Sequence, residues 1–353
     1  MKEVQIFVCT HKKFDPPSDP IYVPIQVGRA GKADLGYLGD DTGDQISEKN
    51  CYYSELTGLY WAAHNCATAS IKGSCHYRRY LLNDAGKVYT APEIEAILTR
   101  YDIMTTKTLT LPATYFDGYS ENHNRDDLLL AEKVIAQKYP TYLSTYRELV
   151  HGNQTYFGNI LIAKSELFDA YVNWLFSIFE EMEPQMDFRG YDDYHKRVFG
   201  FISEFLLKVY IKVNHLSVHE SVVGMIGEKK ETKAVKEQLF SFIRSGKLAE
   251  GKAYLLEYLK KRPDILMLAS DVNGELKLAM QIITTAEHEK EAYGSSILDK
   301  GMKDEELLVY FHTLNRVTQN RKLELLTEAD RAWMEQTQVS DVAQKISEML
   351  MNE

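Results

Sequence analysis

Most signatures of well-known enzyme classes are absent from these 353 residues. The motifs GxGxxG, GxxxxGK[ST], HExxH and GxSxG do not occur. The sequence therefore lacks the standard signatures of dinucleotide binding, P-loop phosphate binding, zincin proteolysis and serine hydrolysis. The most apolar segment is interrupted by Glu204, Lys208 and Lys212, so no transmembrane helix is predicted. The apolar stretch 4–9 is too short for a signal peptide. We therefore expect a cytoplasmic protein.

Positive charge and cysteine are also scarce. Lys and Arg number 41 against 51 Asp and Glu, and the net charge of -10 gives no overall attraction to nucleic acid or anionic membranes. Any polyanion must be bound by a local cluster. The four cysteines, Cys9, Cys51, Cys66 and Cys75, lack CxxC spacing and are expected to be buried thiols in a reducing compartment. Cys75 precedes His76, but strand neighbours point to opposite faces, which disfavours a thiol nucleophile.

The composition changes near position 215, which indicates two domains. Of the 23 Tyr, 19 lie at or before Tyr210, and eight of the nine Pro lie at or before Pro184. We predict a first domain over residues 1–228 and an α-helical bundle over 229–353. The bundle begins with a helix, a Gly-containing turn, a second helix and Pro263, like a tetratricopeptide pair, but no clear repeat follows.

The first domain alternates predicted strands and helices, which is typical of an α/β fold with a parallel or mixed sheet covered on both faces. Strands are predicted at 4–10, 25–28, 71–75, 101–105 and 159–163. Helices are predicted at 48–65 (with Ser47 as N-cap), 93–99, 126–138, 141–149, 166–182 and 192–210.

One segment, Ser74–Leu81, places two adjacent cations between aromatic residues at a predicted strand end. Guanidinium groups match phosphate oxygens in a bidentate way, so Arg78 and Arg79 are candidates for a diphosphate clamp. The alternative is that one of them pairs with a carboxylate at the edge of the core, such as Glu55 or Asp102.

Several motifs resemble one protein family, in the same order along the chain. They are Asp41–Asn50, Ser54–Trp61, Gly73 with His76–Tyr80, His123–Asn124 with Asp127–Leu128, Tyr139–Tyr142, Gly158–Ile160, and Arg197–Phe201 leading to Glu204. The set is similar to a family of glycosyltransferases encoded in bacterial capsular and exopolysaccharide gene clusters. That family was long catalogued as a domain of unknown function, and it includes galactofuranosyltransferases. The likeness spans residues 3 to 215. At Phe205 the sequence departs from the family, which usually has Arg there.

The resemblance implies a nucleotide-sugar-binding sandwich of the GT-A type and assigns candidate donor-binding residues. These are Thr10, His11, Asp41, Asp44, Asn50, Glu55, His76, Arg78, Arg79 and Arg197. Within this set, Asp41 and Asp44 would hold ribose or sugar hydroxyls, with Asn50 and Glu55 bracing their loop. For Asp44, capping of the following helix is an alternative role.

A metal site is not expected. GT-A enzymes commonly hold a divalent cation through Asp-x-Asp, and this triplet does not occur in the sequence. The leaving diphosphate must still be neutralised, and Arg78, Arg79 and Arg197 are the available cations. We therefore expect no required cofactor, although Mn²⁺ or Mg²⁺ is compatible with the fold. His215 and His219 have the spacing of metal ligands but suit a solvated strand edge better.

Inverting transfer also needs a carboxylate that takes the proton of the acceptor hydroxyl. The candidates are Asp127, Asp193 and Glu204, and Asp192 is an alternative to Asp193. For Glu204, orienting an Arg is the alternative role. The acceptor-binding candidates are His123 and Asn159.

These observations favour a glycosyltransferase that moves a hexose, with galactofuranose suggested by the resemblance, from a UDP-sugar to a lipid-linked polysaccharide acceptor. We expect it in the cytoplasm, at the inner face of the membrane, with peripheral membrane contact and homo-oligomerisation through the helical tail as further expectations. The alternative is a noncatalytic protein that binds nucleotide or glycan. A phosphotransferase is a weaker alternative, because no phosphate-accepting motif is present.

Overall fold

The structure is a computed structural model that describes residues 3–225, 230–266, 271 and 273–350. Contacts divide the chain into two compact units, Met1–Ile226 and Gly227–Glu353. The sequence placed the boundary after residue 228.

Strands in the described residues all belong to the first unit. They are β1 (Val4–Thr10), β2 (Tyr22–Gln26), β3 (Leu38–Gly39), β4 (Ile71–His76), β5 (Arg79–Leu82), β6 (Ile103–Thr106), β7 (Leu109–Thr110), β8 (Gln154–Thr155), β9 (Leu161–Lys164) and β10 (Val218–Met225).

Within residues 3–225, eight of these strands form one mixed sheet in the order β3-β2-β1-β4-β5-β10-β6-β9, and β7 pairs with β8. Strand β1 is parallel to β2 and β4, whereas β9 is antiparallel to both β4 and β6. The pairings of the described strands β4, β5, β10, β6 and β9 therefore close into a ring of five. The predicted mixed sheet is confirmed, whereas the ring of five strands was not predicted from the sequence.

Helices of the first unit cover this sheet. They are α1 (Asn50–Tyr53), α2 (Leu56–Asn65), α3 (Ala91–Leu98), α4 (Tyr115–Asn122), α5 (Arg125–Lys138), α6 (Leu143–Val150), α7 (Ser165–Met182) and α8 (Val198–Val213). Short 3-10 turns lie at Ser47–Lys49, Pro140–Tyr142, Glu183–Gln185, Phe188–Gly190 and His195–Arg197.

Strand β1 shows why the sheet is buried on both faces. Its side chains alternate: Phe7 and Cys9 pack into the core with α2, α7 and α8, whereas Ile6 and Val8 pack into the core with α3. A strand buried on both faces needs apolar residues at nearly every position, as Val4–Cys9 provides.

One edge of the sheet brings together segments that are distant in sequence. Cys9 pairs with His76 in the parallel β1–β4 ladder, so residues 10–12 and 77–79 emerge side by side. Since β9 is antiparallel to β4 and Ser74 pairs with Leu161, residues 158–160 reach the same edge. Ligand sites of open α/β sheets lie at such carboxyl ends.

The helix predicted at 48–65 is interrupted at Ser54. Its φ of 52° and ψ of -131° separate α1 from α2, and Asn50 Nδ2 donates to the Ser54 carbonyl at 2.6 Å. Ser47 is not a helix N-cap, because its hydroxyl donates to Asp40 instead. The break places Glu55 at the start of α2.

Two other predicted boundaries are wrong. The helix predicted from residue 192 starts as α8 at Val198, because the Asp192 carboxylate accepts the N–H groups of Tyr194 and His195 and holds a turn there. The second strand, predicted at 25–28, is β2, Tyr22–Gln26, because Gly28 has a left-handed φ of 62° and leaves the ladder.

The second unit is helical throughout its described residues. Its helices are α9 (Lys230–Arg244), α10 (Leu248–Lys261), α11 (Glu275–Tyr293), α12 (Asp304–Lys322), α13 (Glu328–Thr337) and α14 (Asp341–Leu350), with 3-10 turns at Pro263–Leu266 and Ile297–Lys300. Gly246, with φ of 68°, turns the chain between α9 and α10, as the spacing predicts.

The expectation of four buried thiols fails at one position. Cys9, Cys66 and Cys75 are buried, whereas Cys51 is exposed on the outer side of α1. Burial raises the pKa of the Cys75 thiol, which agrees with an inert core residue rather than a nucleophile.

In the described ranges, no helix combines the length and hydropathy needed to cross a membrane.

Candidate active site

Basic side chains surround the carboxyl ends of β1 and β4. His11 meets the ring of Tyr77 edge-on, with 5.5 Å between ring centroids, and Lys12 Nζ lies 5.3 Å from the same centroid. The guanidinium carbon of Arg78 lies 5.4 Å from it. Three basic side chains therefore lie around the single ring of Tyr77. We call His11, Lys12, Tyr77 and Arg78 the tip cluster.

The electrostatics of the tip cluster favour an anion. Desolvation lowers the pKa of His11, and the positive charges of Lys12, Arg197, Lys32 and Arg78 lower it further. His11 is therefore neutral at pH 7. Cations held this close repel one another, so binding of a phosphate group relieves the repulsion.

Thr10 shapes the loop that carries His11 and Lys12. Its buried hydroxyl donates to the Lys12 carbonyl at 2.6 Å and accepts the Lys12 N–H at 3.2 Å. Both bonds turn the chain directly after β1. The Thr10 hydroxyl is thus used to position the tip cluster.

A second group of polar side chains is organised by Gly158 and Asn159. The Gly158 carbonyl is 2.6 Å from His76 Nε2, and its N–H donates to Glu204 Oε1 at 2.8 Å. Asn159 Nδ2 donates to Glu55 Oε1 at 2.7 Å, and the same oxygen is 3.8 Å from His76 Nε2. We call His76, Glu55, Asn159 and Glu204, with Gly158, the histidine–carboxylate network.

The two carboxyl groups of this network differ in protonation. Burial opposes ionisation of Glu55, but His76, Arg197 and the Asn159 hydrogen bond outweigh burial and lower its pKa. Burial and the negative charge of Glu55 raise the pKa of Glu204 to about 8. At pH 7 Glu55 is therefore ionised and Glu204 is protonated.

Arg79 lies beside the histidine–carboxylate network and is not part of the tip cluster. It begins β5, and a Cβ built on Gly158 would lie 3.6 Å from its Nη1. Its positive charge opposes the rise in the pKa of Glu204 and lowers the pKa of His76. The two adjacent arginines therefore face different groups, Arg78 toward Tyr77 and Arg79 toward Gly158.

Two left-handed residues fix the position of Glu55. Ser54 has a φ of 52° and Asn159 a φ of 48°, and both backbone conformations are held by hydrogen bonds. The Ser54 hydroxyl accepts from Arg197 Nε at 2.9 Å, and the amide of Asn159 also bonds Gly200 and Ser203. Asn159 therefore acts in positioning, with its side-chain amide bonded inside the protein.

Asp127 lies in a separate cleft of about 290 Å³. Tyr191 donates to its Oδ1 at 2.5 Å, and Tyr119 donates to its Oδ2 at 3.3 Å. Burial raises the pKa of Asp127 to about 6, against the lowering effect of the two phenol hydrogen bonds. His123 and His195 line the same cleft. An acid that ionises near neutral pH beside a cleft is suited to proton transfer.

Aromatic contacts connect this cleft to the arginines. The ring of Phe201 lies 4.3 Å from His123 between centroids, and the guanidinium carbon of Arg197 lies 5.4 Å from the Phe201 centroid. Arg197 is also 6.0 Å from the Tyr194 centroid, and Tyr194 stacks on His123. Arg197 therefore lies between the Asp127 cleft and Glu55.

The acidic loop before α1 is organised by Asp40. This buried carboxylate accepts from Gly28 N–H, Arg29 N–H, the Ser47 hydroxyl and the Thr57 hydroxyl at 2.5–3.0 Å. These four donors satisfy its oxygens, so Asp40 holds the loop in place.

The neighbouring acids of this loop are also engaged. Asp41 accepts from Arg29 Nε at 2.6 Å. Asp44 accepts from Tyr60 and is bonded through its backbone to Asn65, at the far end of α2 from Glu55. The structure therefore does not bring Asp44 to the network, because α2 spans roughly 15 Å.

The acidic loop does not suit a divalent cation, since Asp40 and Asp41 are already bonded to protein donors. No group of three His, Cys, Asp or Glu side chains among the described residues could hold a metal ion. His219 bonds Tyr89 from β10, and His215 lies outside the strand.

Asp193, a candidate base, is fully exposed and lies 3.4 Å from Lys196 Nζ. The structure thus places Asp127 and Glu204, but not Asp193, beside enclosed polar groups. Asn50 supports the break at Ser54, whereas the sequence predicts that it braces the acidic loop.

Sequence reasoning missed several residues of the site. Lys12 and Tyr77 were not singled out, although Tyr77 lies within the motif that carries the two arginines. Tyr119, Tyr191 and His195 were missed because nothing local marks them as neighbours of Asp127. For Tyr191 and His195, the available signal is their position close to the candidate acids Asp192 and Asp193.

A family described as a domain of unknown function, DUF4422, matches residues 5–215, more than half of the chain. The chain belongs to the DUF4422 family. The match includes the tip cluster, the histidine–carboxylate network and Asp127.

Among solved structures, this chain resembles the apo structure of WbbM, a bifunctional glycosyltransferase. The identity is 27% with a TM-score of 0.59, and the match covers 64% of this chain and 46% of WbbM, so this chain spans less than half of that protein. None of the curated proteins matches this DUF4422 chain in sequence.

Phe205 explains one departure from the family pattern. It is buried in the core of the DUF4422 domain and stacks on Tyr115 at 4.4 Å between ring centroids. An Arg at this position would lie among aromatic rings, so this chain replaces the expected ion pair with packing.

Proposed function

We propose that residues 3–225 form a glycosyltransferase domain of the GT-A type. It transfers a hexose, which we take to be galactofuranose, from a UDP-sugar to a lipid-linked capsular or exopolysaccharide acceptor at the cytoplasmic face of the membrane. The observation that carries the proposal is the tip cluster, a concentration of positive charge at the carboxyl ends of parallel strands in an acidic protein. The similarity to WbbM supports it.

In this proposal, the tip cluster binds the diphosphate of the donor. Lys12, Arg78 and Arg197 supply positive charge, and neutral His11 supplies a hydrogen bond. These cations stabilise the charge that develops on the UDP leaving group as the anomeric C–O bond breaks. No residue of the acidic loop needs to hold a metal for this role.

The acceptor hydroxyl loses its proton to Asp127. The oxygen of that acceptor hydroxyl forms the new bond to the anomeric carbon. The electrons of the breaking C–O bond of the donor leave with UDP. The pKa of about 6 leaves Asp127 ionised at pH 7 and able to accept that proton. Glu55 and Asn159 hold the sugar side of the site in place next to Arg197.

The proposal is tested by thermal-shift titration of the full chain with UDP, CDP and GDP, each with Mn²⁺ and with EDTA. We expect UDP to stabilise the protein in EDTA. Removal of one charge-assisted contact costs about 1.5–3 kcal/mol, so R78A should weaken UDP binding roughly 10- to 100-fold.

The matched control is R147A, which removes an exposed arginine paired with Glu132 on the protein surface. This variant should bind UDP like the wild type. UDP release from UDP-hexoses in the presence of acceptor then separates an enzyme from a protein that only binds nucleotide. The absence of a shift with every nucleotide contradicts the proposal, and so does equal binding by R78A and R147A.

A further inference from the structure

A second cleft lies beside the Asp127 cleft. It has a volume of about 450 Å³, within the range typical of small-molecule sites. Its lining combines aromatic, acidic and basic side chains: Lys49, Tyr52, Glu180, Glu183, Pro184, Met186 and Phe188. Neither the donor site nor the proton acceptor proposed above uses these residues.

The aromatic part of this cleft is built to offer ring faces. Tyr52 and Phe188 lie 4.4 Å apart between centroids, with 37° between their planes, and both are only partly buried. Partly exposed rings of this kind present apolar faces next to water. The apolar C–H face of a sugar ring is complementary to such a surface.

The polar part of the cleft is held in position. Lys49 Nζ and the Tyr53 hydroxyl both bond Glu183 Oε2, at 2.8 and 2.9 Å. Glu183 and Glu180 both line the same cleft. Carboxylates are strong acceptors for sugar hydroxyl groups, and the aromatic rings lie beside them.

The two clefts are neighbours, separated by one aromatic contact. Phe188 meets Tyr191 edge-to-face at 5.9 Å between centroids, and the Tyr191 hydroxyl donates to Asp127. Gly190 and Tyr191 line the Asp127 cleft, whereas Phe188 lines the other. The 3-10 turn Phe188–Gly190 is therefore the shared wall of both clefts.

We propose that the two clefts form one path for an acceptor oligosaccharide, with the reacting sugar at Asp127 and the preceding sugars stacked on Phe188 and Tyr52. This proposal rests on the proposed function, and it assigns an extended glycan, rather than a single sugar, as the acceptor. Glu180, Glu183 and Lys49 bind the hydroxyl groups of the preceding sugars.

The test uses the full chain on an array of oligosaccharides from bacterial capsular and exopolysaccharides, with fragments of one to four sugars. We expect binding that strengthens with length beyond one sugar. The variant F188A should bind the longer fragments about tenfold more weakly, because it loses the shared aromatic wall. Its UDP-induced thermal shift should remain that of the wild type.

The matched control is Y101A, which truncates a partly buried aromatic residue in contact with His219, outside both clefts. If F188A does not fold, Y52L provides the same comparison. The proposal is overturned if no oligosaccharide binds, if binding does not depend on length, or if Y101A loses glycan binding equally. A missing UDP shift in the wild type contradicts the proposed function instead, so the two failures are distinct.

Discussion

Two buried aspartates of the first unit have opposite surroundings. Asp40 accepts four hydrogen bonds, two of them from backbone N–H groups, and is fully enclosed. Asp127 accepts from two phenols and borders a cleft. Burial raises the pKa of Asp127 to about 6.

This difference shows how to separate a structural acid from a candidate catalytic one. Donors from the backbone and from short hydroxyls occupy the oxygens of Asp40 and fix its loop. Two phenols at a cleft leave the carboxyl group able to exchange a proton near neutral pH. The predicted consequence is that Asp40 matters for folding and Asp127 for turnover.

The largest effect is expected for D127N. Loss of the proton acceptor should lower kcat by about 10²–10⁴. The UDP-induced thermal shift should be retained, because the tip cluster is untouched. Measurement of UDP release under saturating donor and acceptor gives the rate, and thermal unfolding gives the stability.

The stability of D127N sharpens the comparison further. Because the folded pKa is raised, ionised Asp127 costs stability above pH 6, and this cost disappears as the pH falls below the unfolded value near 4. D127N carries no such cost, so the wild type should gain stability relative to it on acidification. A wild-type rate in D127N would remove Asp127 from the mechanism.

A smaller effect, on folding rather than rate, is expected for D40A. It leaves the Gly28 N–H and the Ser47 and Thr57 hydroxyls without their acceptor, which should lower the free energy of unfolding by about 3 kcal/mol. Urea unfolding of D40A measures this loss. The control D41A removes only the pair with Arg29 and should cost about 1 kcal/mol or less. Equal losses in both variants would contradict the structural role of Asp40.

The smallest effect is expected in the pH dependence. As the pH rises above about 8, Glu204 ionises and adds a negative charge near Arg79 and Arg197, and Arg197 is one of the cations proposed to bind the diphosphate. UDP affinity should therefore fall by up to about tenfold. In E204Q this alkaline decline should be absent. The acidic decline in turnover, below about pH 6, belongs to Asp127 and should remain in E204Q. UDP titrations between pH 5 and 9 measure the alkaline loss of affinity, and reaction rates over the same range measure the acidic loss of turnover.

The sequence predicted the parts of the fold that depend on local pattern. Val4–Thr10 is recognisable as a strand because its run of apolar residues is typical of burial on both faces. The helix predicted at 166–182 lies entirely within α7. The motif at 76–80 begins at the end of β4, where the sequence predicts a strand end.

Features set by tertiary hydrogen bonds were not predictable. A Ser with positive φ inside a helical pattern is unfavourable on its own, and Ser54 adopts it because Asn50 and Arg197 bond it from other turns. Asp40 and Asp41 look alike in sequence, and their roles differ only because Asp40 meets four donors from distant positions. Asp193 and Asp127 also look alike in sequence, and only the fold makes Asp193 exposed and Asp127 buried.

Strand β10 determines where this domain can be cut. The family match ends at residue 215, but Val218–Met225 lies between β5 and β6, with Met225 paired to Arg79. A fragment that stops at the family boundary would lack an interior strand and expose two unpaired edges, which promotes aggregation. Recombinant expression of the first unit alone should therefore extend at least through Met225.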